Sequence, residues 1–159
     1  KQIADVDCDI VYSSPLKRAY ETACILRGDR DIPIIKDDRL REVNFGINEG
    51  KCSLELKKDK NSPIYKFFED PGNYQPPEGG ESLHDVCKRT KEFMEEIIEP
   101  QKDKLSNVLI AGHGAMNKGI MCHVLNHPIK EYWSGGLQKN CGIIIVKLDE
   151  NGYEKIGEI

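Results

Sequence analysis

His113, Arg18 and Glu42 are the side chains of this 159-residue sequence whose types and settings suit them to chemistry. His113 closes the segment NVLIAGHG (107–114), an apolar run stopped by Gly112. Such a run reads as a buried parallel strand, and the AMNKGIMCHVLN that follows reads as a helix. His113 then sits at the carboxyl end of a strand beside a helix amino terminus. Open α/β sheets bind ligands there, and unpaired backbone N–H groups favour anions. A neutral imidazole in that place suits work on a phosphate or a carbonyl. Arg18 lies just past the strand end in IVYSSPLKRAYETA (10–23), and a guanidinium so placed holds phosphate through two parallel hydrogen bonds. Glu42 stands in LREVNFGINEG (40–50). A carboxyl group near a phosphate site suits proton donation, because burial and anionic neighbours raise its pKa.

Each of these side chains needs an element to hold it. For Arg18, Ser14 fits the N-cap of a helix and Pro15 its first position, where the missing N–H costs nothing. Leu16, Ala19, Ala23 and Leu26 recur at helical spacing to face the sheet, and Gly28 ends the helix. For Glu42, the apolar pair Ile34–Ile35 precedes it and Gly46 and Gly50 signal tight loop geometry. A long helix is predicted over 82–99, with Ser82 and Asp85 as a capping box and Pro100 as its stop. Its stripe of Leu83, Val86, Cys87, Thr90, Phe93, Met94, Ile97 and Ile98 belongs to the core. Residues 140–159 read as a hairpin turned by Asn151–Gly152.

Taken in order, SSPLKRAYETA (13–23), LREVNFGINEG (40–50), PPEGGESLHDVCKRTKEF (76–93), VLIAGHG (108–114) and the closing NCGIIIVKLDENG (140–152) resemble the histidine phosphatase superfamily, the phosphoglycerate mutase-like proteins. The resemblance implies a three-layer α/β sandwich with a mostly parallel central sheet. It implies Arg18, His113 and Gly114 as phosphate-binding residues, and His113 also as a stabiliser of charge in the transition state. Glu42 matches the glutamate usually cast as general acid. Phosphoryl transfer asks mainly for positioning, and for cations and donors around spreading negative charge. The implied activity is a phosphomonoesterase acting on a small phosphorylated ester, a phosphatase rather than a mutase. No cofactor and no metal are implied.

The sequence departs from the family at one place. Family members open with a strand ending in RHG, whose histidine takes the phosphoryl group. His84, His113, His123 and His127 are the only histidines here, and none stands in an RHG. The chain begins at Lys1 and aligns with the end of the family's first helix, so its first strand is missing from these residues. The expectation is a piece of a longer protein, an amino-terminally incomplete single domain over 1–159. The alternative is a catalytically inactive member that binds phosphorylated ligands or a protein partner. Exposed ladder groups beside a missing strand would invite a homodimer or strand exchange.

Composition narrows the class. A net charge of −4 and a pI near 5.6 give no nucleic-acid footprint. KDDRLR (36–41) and KDK (58–60) read as solvated faces. No apolar run reaches membrane-spanning length, and no signal peptide is visible. Cys8, Cys24, Cys52, Cys87, Cys122 and Cys141 form no CxxC and read as buried free thiols in a reducing, cytoplasmic setting. His123 and His127 lack the HExxH glutamate and read as cap or surface residues. GHGAMNKG satisfies neither nucleotide-binding glycine pattern. Residues 51–79 are expected to form a helix and loop capping the site mouth, short enough to favour a phosphatase of the broad or cobalamin-pathway type. Tyr65, Phe67, Phe68 and Tyr74 are candidates for an apolar substrate wall.

Overall fold

Alternation along one short strand divides the core. In the computed structural model, which describes residues 6–159, strand β1 (Ile10–Ser13) lies between β2 (Ile34–Lys36) and β3 (Val108–Ala111), all parallel. Successive residues of a strand point to opposite faces. Val11 accordingly packs with Ala23, Ile32 and Ala111, whereas Tyr12 packs with Leu40, Phe93, Met116 and Ile120. Helix α1 (Lys17–Arg27) covers the first face; α4 (Leu83–Phe93) and α5 (Gly114–Leu125) cover the second. The result is a layered α/β fold around a parallel central sheet.

Strands β4 (Ile144–Asp149) and β5 (Gly152–Glu158) form an antiparallel hairpin. Ile144, Val146 and Tyr153 pack on the same cluster as Val108 and Ile110, yet among the described residues no ladder joins β4 to β3. The turn is shifted by one from the sequence expectation. Asp149 pairs with Gly152, so Glu150 and Asn151 make the turn and Gly152, at φ +102°, opens the return strand. A positive φ is the conformation that glycine accommodates, and the hairpin's one register shift lies further along, between Ile145 and Val146.

Two helix ends also differ from expectation. Helix α1 begins at Lys17, and its N-cap is Leu16, which offers no side-chain bond. Ser14 Oγ accepts from the Leu16 amide at 3.3 Å but is mainly committed elsewhere, to His113. Gly28 does end α1, at φ +58°. Helix α4 starts as read, with Ser82 Oγ accepting from the Asp85 amide at 3.1 Å. Regular α-helix stops at Phe93; Met94–Ile98 form a π-helical turn and Glu99–Gln101 a 3-10 turn that runs through Pro100. Pro100 has no N–H to return to the carbonyl four residues back, and the widened turn absorbs the mismatch. Leu83, Val86, Thr90, Phe93 and Met94 of the predicted stripe are buried.

Helices α4 and α5 meet at Gly119, where a Cβ would lie 2.8 Å from Thr90 Oγ1 and 3.1 Å from Val86 Cγ1. Within 51–79 stand α2 (Ser53–Leu56) and α3 (Pro63–Glu69), the latter capped by Ser62 Oγ, which accepts from the Ile64 amide at 3.2 Å. The cysteines are free, but not all buried: Cys52 and Cys141 are exposed, being loop residues rather than members of an apolar face. Among the described residues no helix is long and apolar enough to cross a membrane.

Candidate active site

Strands β1 and β3 end side by side, with Ser13 opposite Ala111, and the chain beyond each carries the candidate side chains to one sheet edge. His113 is the N-cap of α5, and its Nε2 shares a 2.8 Å hydrogen bond with the buried Ser14 Oγ. That bond spans 99 residues of sequence and fixes the imidazole plane. Burial is the chief cause that lowers the pKa of His113, to about 4, with the charges of Arg18 and Arg89 adding to it. The imidazole is therefore neutral at physiological pH and lies in the field of two arginines.

Arg18 is exposed in the first turn of α1, and among the described residues no ion pair or hydrogen bond engages its guanidinium. Arg89, on α4, is tied down. It holds both oxygens of Glu81, at 2.6 and 3.0 Å, and donates to the Arg39 carbonyl. Arg89 thus joins α4 to the GGES loop and to the segment that bears Glu42. Sequence reading missed it because its partners come from two other segments; its only local sign was a place inside the matched 76–93 stretch.

Glu42 lies at the start of α5. Its Oε1 accepts from the Met116 amide at 2.9 Å and from its own neighbour Val43 at 3.0 Å, while Oε2 accepts from Ala115 at 3.4 Å. Two of the helix-end N–H groups expected to be unpaired are therefore taken by this carboxylate. The Gly114 amide, at the first helical position, has no intrahelical acceptor and stays open among the described residues. Glu42 is held by a clamped loop: the Glu81 amide donates to the Asn44 carbonyl at 2.8 Å, and Phe45 bridges Gly80. Gly46 makes the clamp, since at φ +54° any Cβ would fall 2.1 Å from the Glu78 carbonyl.

Beside Glu42 and Gly114 opens a cavity of about 370 Å³. Leu56, Phe67, Phe68, Trp133 and Leu137 are among the residues lining it. Tyr65 and Tyr74 are not; Tyr74 is buried in the core, where Phe67 packs edge-on against it with ring centroids 5.1 Å apart. Trp133 and Leu137, both past α5, carry no local signal that would place them here. His123 instead hydrogen-bonds Glu99 at 3.1 Å, and among the described residues no cluster of His, Cys, Asp and Glu is placed to hold a metal.

The arrangement sets the start of α5, with Glu42 and Gly114, beside an apolar pocket, and its strand ends, helix start and loop follow the order of the motifs that suggested them. Residues 1–156 match the profile of the histidine phosphatase superfamily (branch 1), and the chain belongs to that family. It is 29% identical over 142 residues to phosphoserine phosphatase 1 of Hydrogenobacter thermophilus, covering 89% of this chain and 65% of that protein. It is 34% identical over 118 residues to a 2,3-bisphosphoglycerate-dependent phosphoglycerate mutase of Cytophaga hutchinsonii, covering 73% of this chain and 55% of the mutase. Bacillus stearothermophilus YhfR superposes with a TM-score of 0.86 at 31% identity, over 98% of this chain and 75% of YhfR. A mycobacterial glucosyl-3-phosphoglycerate phosphatase bound to VO3 superposes at 0.83 with 22% identity, over 98% of this chain and 78% of that one, a likeness of fold. The chain thus spans about two thirds or less of the length of these two curated relatives.

Proposed function

We propose that these residues form the phosphate-handling part of a phosphomonoesterase. The observation that carries the reading is the convergence of neutral, buried His113, unengaged Arg18 and the open Gly114 amide on one sheet edge. Arg18 and Gly114 bind the phosphoryl oxygens; His113 donates to them and gains a proton more readily once their charge offsets that of Arg18 and Arg89.

In the proposed reaction a histidine outside these 159 residues attacks phosphorus. The phosphorus–ester bond breaks as the nitrogen–phosphorus bond forms, and Glu42 gives its proton to the leaving oxygen. Water then attacks phosphorus, Glu42 takes the water proton, and the phosphohistidine bond breaks to release phosphate. Glu42 must leave the amides of Ala115 and Met116 to reach the leaving oxygen, since both its oxygens are engaged there. Residues 51–79 serve as the cap that shapes the pocket, and the free thiols fit a reducing compartment. Pairing of two copies or strand exchange belongs to the same proposal, because β3 and β4 each have a strand partner on one side only among the described residues.

The test is turnover of p-nitrophenyl phosphate by a chain extended to include the upstream segment, beside phosphate binding by the 159-residue chain. Turnover reduced at least a hundredfold in Arg18→Ala and His113→Ala supports the enzyme. A second reading, a binding module for phosphorylated ligands, has its own observation: none of the histidines stands in an RHG. Phosphate binding with no turnover by the extended chain selects it.

A further inference from the structure

Resting on that phosphate-handling reading, we propose that the cavity selects phosphate esters of bulky, uncharged, apolar or aromatic alcohols and discriminates against small phosphorylated acids. The cavity and its lining carry the inference through size, wall chemistry and charge.

The cavity, of about 370 Å³, has room for a ring beside the phosphate end. The alcohol part of a three-carbon phosphorylated acid would set charged and polar groups against that apolar wall. The wall itself is preassembled. Phe68 and Trp133 stack with centroids 5.1 Å apart, Phe67 meets Trp133 edge-on at 5.2 Å, and the Trp133 indole N–H donates to the Phe67 carbonyl. Leu137, although 56% exposed, overhangs the start of α5, where a Cβ on Gly114 would lie 3.1 Å from its Cδ1. An alcohol leaving from a phosphate held at Gly114 therefore meets leucine and aromatic rings first.

Charge excludes the alternative. The lining carries two carboxylates, Glu42 and Glu49, against one ammonium, Lys51. Lys51 is exposed and bonded to Asn48 Oδ1 at 3.1 Å. Lys57 is engaged over the Phe68 ring, 3.3 Å from its centroid. Of the arginines whose charge reaches His113, Arg18 is taken by the phosphoryl group in that reading and Arg89 is already paired with Glu81. A substrate carboxylate would be desolvated without a dedicated cation, which is costly.

The experiment is calorimetric titration of the 159-residue chain with benzyl phosphate, O-phosphoserine and inorganic phosphate, with fluorescence of Trp133, the sole tryptophan, as a second readout. Benzyl phosphate is expected to bind at least tenfold more tightly than phosphoserine, and to change Trp133 emission where inorganic phosphate does not. Leu137→Lys, at an exposed position, is expected to collapse that ratio to threefold or less with the circular dichroism spectrum unchanged. Phosphoserine binding as tightly as benzyl phosphate overturns the substrate class and leaves the phosphate-handling reading standing. A preference that survives Leu137→Lys in full overturns the cavity as its source. No binding of any of the three, inorganic phosphate included, overturns both.

Discussion

His113 and Ser14 stand just beyond the ends of two adjacent parallel strands, whereas Phe67, Phe68 and Trp133 stand on a seven-residue helix and a loop. The first pair is placed by backbone ladders, and a single 2.8 Å bond completes the geometry. The aromatic group is placed by side-chain packing, with centroids 4.9 to 5.2 Å apart, and the fully buried Phe67 ties it to Tyr74 and the core. Ladder-bound groups hold position whatever ligand arrives, which suits a reaction that needs charge fixed in space. Phe68 and Trp133, only partly buried, can be exchanged without unmaking the sheet. The strand-end pair and the aromatic wall are thus separable, one suited to constant chemistry and the other to variable choice.

The largest expected effect that would break this separation is at Arg89. Arg89→Met strands the Glu81 carboxylate and the Arg39 carbonyl, both partly buried, and should cost about 3 to 4 kcal/mol in urea unfolding. It should also weaken phosphate binding while leaving the Trp133 environment intact. Equal disturbance of Trp133 emission would show that the two regions are not separable.

Next is acidification. His113 is lowered to about 4 from its ordinary 6.5, so the unfolded chain takes up a proton that the folded chain refuses. Stability from this group is full above about 6.5 and falls as pH drops toward 4, by about 2 to 3 kcal/mol in all. Unfolding free energies across that interval should flatten in His113→Gln. Bound phosphate should move the titration upward, which NMR of the His113 ring would follow.

The smallest effect belongs to the wall. Lys57→Ala removes the ammonium over Phe68 and should cost about 0.5 kcal/mol, with inorganic phosphate affinity unchanged. A change in phosphate affinity beyond twofold would couple the two regions.

What could be read from sequence follows the same division. His113, Arg18 and Glu42 could be singled out as candidates because each sits at a local boundary, a strand end, a first helical turn or a glycine-marked loop. The parallel strands and the core stripe of α4 were legible from periodicity. Ser14 was misassigned as a helix cap because its true partner lies 99 residues away. Arg89, Trp133 and Leu137 were missed for the same reason: their roles arise from packing between segments. The π-helical turn before Pro100 was read only as a stop, since sequence marks the missing N–H but not how a packed helix accommodates it.

Gly119 has a reach beyond its own position. Arg89 precedes Thr90 on α4, and Gly119 sits one and a half turns into the helix that His113 caps. Because the two helices touch at Thr90 and Gly119, the absent methyl group lets the helix that carries Arg89 lie close against the helix that His113 caps. A carbon atom missing from one contact keeps the carriers of a cation and of an imidazole side by side.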